Sequence, residues 1–372
     1  MPKYTLGEVS VEVKETYKGD KTGIPIVGLE HLTPGEVTLT SWDQDTENSF
    51  TKTFDKGDVL FGRRRAYLKK AALAPFKGIC SGDITVIRAN PKFLSPSLFP
   101  FLIQHDALFS FAVGKSAGSL SPRVKWEHLK TYEIVLPPLE EQEKTAKVLW
   151  AIEDTCQAYK KLFNETDALV KAEYDRLVAD NKDRTVKLQD LLNQNKKKER
   201  ITDTKCEKYI SVALYGKGIS ERDIGEDDVK AFTATRVHKG QFVYCRIWLR
   251  KGAAGIVPEE LEGAVVSNEF PSFDIQKDRI RPAFLMYSVL DDNFLTKIGD
   301  GSKGSTSKQR IKEEVFLNYS IVLPSLEEQE RFDNFVEHSN KSKAVLQQAI
   351  NEARALQKKI VEDCFTVHGK EN

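Results

Sequence analysis

The chain carries one tract twice. YEIVLPPLEEQE runs from Tyr132 to Glu143, and YSIVLPSLEEQE runs from Tyr319 to Glu330. Ten of the twelve positions are identical, at a constant offset of 187 residues in a chain of 372. A repeat spaced at half the chain length predicts two similar units joined in tandem. The likeness extends outward from the tract. GSLSPRVKWEHLKT (from Gly118) precedes the first copy and GSTSKQRIKEEVFLN (from Gly304) the second, and KGDVLFGR (Lys56 to Arg63) echoes KGQFVYCR (Lys239 to Arg246). The upstream regions otherwise differ strongly, as expected of one scaffold carrying two different readers.

After each tract comes a long polar stretch without Pro or Gly. Pro137 and Pro324 close a strand-like Ile-Val-Leu run, and the acidic residues that follow suit the first turn of a helix. In the first helix an apolar stripe at 3,4 spacing includes Leu149, Ile152, Tyr159, Phe163, Val170 and Leu177. In the second it includes Phe332, Phe335, Leu346, Ala349, Leu356 and Ile360, with small residues at Ser339, Ser342 and Ala353. Such stripes predict a seam between two helices packed as an antiparallel coiled coil. The alternative is two separate amphipathic helices, one on each domain.

The fold class expected is α+β: two mixed α/β domains separated by two long helices, with a pseudo-twofold internal repeat. The boundaries are residues 1–138 and 184–325 for the mixed domains, and 139–183 and 326–372 for the helices. GDVLFG, ICSGDITVIRA and KGQFVYCRIWL are expected as strands. SPSLFPFLIQHDALFSFAVG and DRIRPAFLMYSVLDDNFLTKIG are expected as helices. SWDQDTENSF and ERDIGEDDVK are expected as solvated loops.

Composition narrows the class. No apolar run approaches the ~20 residues of a membrane span, and MPKYTLGEVS lacks the apolar core of a signal peptide. Five scattered cysteines with no C-x-x-C fit a reducing, cytoplasmic setting and argue against a zinc site. Net charge is only +1. Along the chain the charge alternates in phase with the repeat: mildly basic, acidic, mildly basic, acidic.

The residues offer little for catalysis. VGKSAG (Val113 to Gly118) resembles the end of a phosphate-binding loop, but that motif needs glycine where Phe109 stands. There is no G-x-G-x-x-G and no N-P-P-Y or D-P-P-Y, so no methyl-donor site is expected. The six histidines are dispersed, and Asp274-Ile275-Gln276-Lys277 lacks the spacing of a metal-dependent nuclease. No catalytic residue and no metal site is expected.

What remains is basic, serine-rich and hinged on glycine. Arg63, Arg64, Arg65 and Lys69 form one cluster, and Arg246, Arg250 and Lys251 occupy the related place in the second half. Lys115, Ser116, Ser119, Ser121, Arg123 and Lys125 lie in or beside the first Gly-Ser loop. Lys303, Ser305, Ser307, Lys308, Gln309 and Arg310 lie in the second. Lys and Arg neutralise phosphates, Ser hydroxyls add hydrogen bonds, and Arg and Gln read purine edges. The bland alternative is ordinary solvated surface. The same placement in both repeats favours DNA.

The duplicated (I/V)-x-L-P-x-L-x-E-Q tract, the Gly-Ser loop before it and the long helix after it resemble the specificity subunits of Type I restriction–modification systems. The resemblance covers the whole chain as architecture, and residues 118–180 and 304–365 in motifs. It implies target recognition domains that each read half of a bipartite DNA site, and paired helices that fix the spacer. It implies two methyltransferase subunits carrying S-adenosylmethionine, and two restriction subunits using ATP and Mg. It implies a non-catalytic role with no cofactor on this chain. Divergent recognition domains imply an asymmetric target. Two other readings stay open: the same module serving another type of methylation or restriction enzyme, or a coiled-coil scaffold without a DNA role.

Overall fold

The protein is described from a computed structural model, covering residues 2–223, 230–300 and 310–365. Two compact units emerge: Met1–Leu162 with Leu346–Asn372, and Phe163–Val345. Two long helices, Leu139–Asp180 and Leu326–Phe365, each contribute one part to either unit.

In the first unit, Lys3–Thr5 pairs antiparallel with Glu133–Val135, the strand that leads into the first long helix. A four-stranded antiparallel sheet follows the spatial order Ser10–Glu12, Ile84–Ala89, Val59–Gly62, Ala71–Leu73. Val59, Phe61 and Ile87 from this sheet pack with Phe99, Phe101, Leu108 and Phe109 in the main core. The segment 95–114 forms two helices, Phe99–Ile103 and Asp106–Gly114. A second sheet holds Asp43–Gln44, Pro25–Val27, Gly78–Cys80 and Lys52–Phe54, with Pro25–Val27 and Gly78–Cys80 parallel. Gly78 is required there, because a Cβ would sit 2.5 Å from the Pro25 carbonyl oxygen.

The second unit repeats the first part of this plan. Thr185–Lys187 pairs antiparallel with Ser320–Val322, placing Thr185 opposite Val322 as Lys3 stands opposite Val135. Its four-stranded sheet has the order Leu192–Gln194, Ser272–Ile275, Phe242–Tyr244, Ala254–Ile256, again antiparallel. The core is aromatic: Phe242, Tyr244, Phe273 and Phe316 are fully buried and in mutual ring contact. Pro282–Leu290 and Asp292–Asp300 are helical. The second sheets differ: here it is the antiparallel Glu199–Ile201, Phe232–Arg236, Val265–Val266. The charged loop ERDIGEDDVK falls largely outside the described residues.

The repeated glutamine explains why the tract is written twice. Gln142 is 1% exposed; it accepts from the Ser95 N–H at 2.8 Å and donates to the Phe93 and Pro137 carbonyls at 3.0 and 2.9 Å. Gln329 is fully buried; it accepts from the Arg281 N–H at 2.9 Å and donates to the Arg279 and Pro324 carbonyls at 3.2 and 2.9 Å. In each unit one side chain satisfies loop amides and carbonyls that burial would otherwise leave unpaired.

Within each unit the long helices run in opposite directions. In the first, Glu153 meets Arg354, while Leu149 shares a core with Val361 and Phe365 nearer the end of the second helix. In the second, Lys343 lies 5.5 Å over the Phe163 ring, and Tyr174 meets Phe332.

The expected seam needs correction. Leu149, Val170 and Leu177 are buried, and Ile152, Tyr159, Phe163, Leu346, Ala349 and Ile360 are half-buried. Phe335 and Leu356, however, are 38% and 51% exposed. Phe332 and Ser339 of the stripe are buried as expected, and the buried line of the second helix then continues through Ile350, Gln357 and Val361. The pattern misled because several inward positions are polar (Gln357, and Glu153 on the other helix), so the apolar residues beside them marked the wrong side of the stripe.

Candidate nucleic-acid interface

In the first unit the two basic clusters expected from sequence form one site. The strand Val59–Gly62 delivers Arg63, whose N–H donates to the Asp83 carbonyl at 2.9 Å while its own carbonyl accepts from the Val124 N–H at 3.0 Å. The Arg65 N–H donates to the Pro122 carbonyl at 2.8 Å. The basic turn is thus stitched to the Gly-Ser loop along their backbones. The loop is closed at its neck by reciprocal bonds between Ala117 and Arg123, 3.1 and 3.0 Å.

Asp83 organises the side chains. Its carboxylate accepts from Arg123 Nε and Nη2 at 2.7 and 3.3 Å and from Arg64 Nη1 at 3.4 Å, and Arg64 Nη2 donates to Ser121 Oγ at 3.1 Å. Hydrogen bonds from Arg123, then its charge and that of Arg64, hold the Asp83 carboxyl below its ordinary value despite partial burial. Two arginines on one carboxylate leave a net positive group in fixed orientation.

The turn itself is strained. Arg65 and Lys69 both adopt the left-handed conformation, with φ of 53° and 51°, flanking the 3-10 turn Ala66–Leu68. Such geometry costs a non-glycine residue about 1–2 kcal/mol and persists where the surroundings impose it. Lys69 pairs with Asp106 at 2.5 Å, and Lys358 holds the same carboxylate at 2.7 Å. Lys115 lies 5.7 Å over the Phe111 ring, and Ser116 Oγ donates to the Ala112 carbonyl. Ser119 and Lys125 are exposed. Sequence reading missed three apolar members of this surface: Tyr67, Leu68 and Leu120 are 54%, 40% and 91% exposed.

The second unit builds the same clasp from different letters. The Arg246 N–H donates to the Glu269 carbonyl, and the Ile311 N–H to the Arg246 carbonyl, both at 2.9 Å. Arg310 Nε pairs with Glu269 at 3.0 Å, as Arg123 pairs with Asp83. Asp83 and Glu269 stand in dissimilar local sequences, SGDIT and SNEFP, so no motif announced them. Arg246 also pairs with Glu313, which accepts from Gln194 Nε2 at 3.1 Å. These side chains line a cleft of about 530 Å³ with Lys196, Arg310 and Lys312. Lys251 lies 5.2 Å over the Trp248 ring, and Arg250 is half-buried. Gly252 takes the left-handed position (φ 68°) that ends the 3-10 turn Leu249–Lys251, where the first unit uses Lys69. Lys303, Ser305, Ser307, Lys308 and Gln309 lie outside the described residues.

Among the described residues no group of three or more His, Cys, Asp or Glu could hold a metal ion, and no helix is long and apolar enough to cross a membrane. The arrangement offers oriented donors and exposed rings.

Residues 3–165 match the family described as Type I restriction modification DNA specificity domain. The MjaVIII Type I restriction enzyme specificity subunit of Methanocaldococcus jannaschii is 26% identical over 73% of this chain and 72% of its own length. Other curated specificity subunits match over about a third of their length, between 30% and 33%. Two solved chains share the fold. One, described under "Structural basis underlying complex assembly and conformational transition of the type I R-M system", superposes with a TM-score of 0.58 at 19% identity, covering 98% of this chain and 97% of that one. The other, the S subunit of the type I restriction-modification system of M. genitalium, superposes at 0.56 and 11% identity, covering 98% and 96%.

Proposed function

We propose that the chain is a specificity subunit of the Type I restriction–modification kind and that each of its two units reads one half of a bipartite, asymmetric DNA site. The observation that carries this reading is the duplicated clasp: a carboxylate holding the arginine at the end of a Gly-Ser loop, Asp83–Arg123 in one unit and Glu269–Arg310 in the other. The same backbone stitching beside different exposed side chains is what two readers of unlike half-sites require. Arg and Lys supply sequence-independent phosphate contacts and bidentate recognition of base edges.

In this reading the two long helices pair as an antiparallel coiled coil about a pseudo-twofold axis and fix the spacer between half-sites. They also dock two methyltransferase subunits, which carry S-adenosylmethionine and methylate adenine. Two restriction subunits, with ATP and Mg, complete the restricting complex in the cytoplasm. The chain's own part is recognition and geometry; the chemistry belongs to its partners.

The test is to co-express the chain with its methyltransferase partner in a host lacking other adenine methylation and map methylated adenines across the genome. One bipartite motif, present only with this chain, is expected. A complex that forms but leaves no motif would refute the reading.

A further inference from the structure

Leu120 is the most exposed large apolar residue among those described, at 91%. It stands at the apex of the Gly-Ser loop, two residues after Gly118, whose φ of +114° lets the chain reverse there. The loop is not slack. Ala117 and Arg123 close its neck by two backbone bonds, Ser121 is held by Arg64, and Pro122 by the Arg65 N–H. A leucine held out in water on a braced hairpin forgoes the gain of burial, unless a partner covers it. What surrounds it is cationic. Arg65 and Lys125 are exposed beside the neck, and Lys115 precedes it. That combination fits a polyanion with an apolar interior reachable through a groove, which is duplex DNA.

Building on the DNA-reading role proposed above, we infer that Leu120 is a wedge: it enters the groove at the half-site read by the first unit and partly unstacks one base step. Apolar side chains on basic elements act this way in other DNA-bending proteins. The second copy has Ser305-Thr306-Ser307 where the first has Ser119-Leu120-Ser121. Thr306 is polar and shorter, so the wedge belongs to one half-site only. The unit thereby gains specificity for a deformable step, such as a pyrimidine–purine step, that no side chain need touch by hydrogen bonding.

The test uses the full complex with its methyltransferase partner and a duplex carrying the methylation-defined site. 2-Aminopurine is placed in turn at each step of either half-site that neither contains nor flanks a methylated adenine, because the methyltransferase partner flips that base itself. Wild type is expected to brighten the probe several-fold at one step of the first half-site and at none of the second. Leu120→Thr, at a position too exposed to affect folding, should remove the brightening and weaken specific binding about 10-fold. Its salt dependence should stay unchanged, because no phosphate contact is lost. Binding by wild type without brightening, or equal brightening by Leu120→Thr, would overturn the wedge alone. Failure of the wild-type complex to bind this duplex at all would overturn the DNA reading, and the wedge with it.

Discussion

Glu153 and Arg354, 201 residues apart in the chain, form a buried ion pair between the two long helices in the first unit. A second hydrogen bond from Arg354 reaches Glu153 at 3.1 Å, and Gln157 and Gln357 donate to the same carboxylate at 2.8 and 3.3 Å. Arg354 also donates to Gln357 at 2.7 Å. A half-turn slip of either helix would leave a buried charge unpaired, so the network fixes helix register.

Burial pushes the Glu153 carboxyl up, but the hydrogen bonds from Arg354, Gln157 and Gln357 outweigh it and hold it below 4.5. A carboxylate whose folded value is depressed contributes stability that is complete above its unfolded value. That contribution is lost as pH falls through the folded one. Urea midpoints measured from about pH 3 to pH 6 should therefore rise with pH in wild type and rise less in Glu153→Gln. Arg354→Ala should destabilise by about 3 kcal/mol, because it strands the glutamate.

Gln142→Ala and Gln329→Ala should each cost about 2–4 kcal/mol, since each strands a buried N–H and two carbonyls. Gln→Glu should be no milder, because a carboxylate cannot donate to those carbonyls. Chemical denaturation followed by tryptophan fluorescence checks both.

Asp83→Asn should free Arg64 and Arg123 from their fixed orientation while removing a negative charge. Binding to unrelated DNA should strengthen, and its salt slope should steepen by up to about one unit. Discrimination for the correct half-site should fall. Lys115→Ala should instead weaken binding to all sequences and lower the slope by about 0.9. Titrations across salt concentrations on matched and unrelated duplexes separate the two.

Arg65→Gly should stabilise the first unit by about 1 kcal/mol, because glycine adopts φ 53° without the penalty arginine bears there. It should weaken DNA binding at the same time. A higher denaturation midpoint together with lower affinity would mark Arg65 as strained for function; parallel loss of both would contradict that.

The plan of the fold was largely readable in the sequence, for reasons that particular residues make plain. The tract ending in Gln142 and Gln329 recurs because both units need one glutamine to close the same buried loop. The helices were legible because no Pro or Gly interrupts 139–180 or 326–365. Leu356 misled because the inward side of its helix there is polar, with Gln357 and Arg354 meeting Glu153 of the other helix, and a hydrophobic stripe cannot register polar partners. The basic residues could be named, but not their partners. Asp83 and Glu269 recur in space without recurring in sequence, and nothing in the letters of the Gly-Ser loop marks Leu120 as held out in water.

If each unit reads its own half-site, the two halves of the target are exchangeable one at a time. Replacing residues 1–137 with the corresponding region of another specificity subunit, then mapping adenine methylation across the genome, tests this most directly. The expected motif has one half changed while the other half and the spacer length stay fixed. A motif altered in both halves, or in neither, would contradict it.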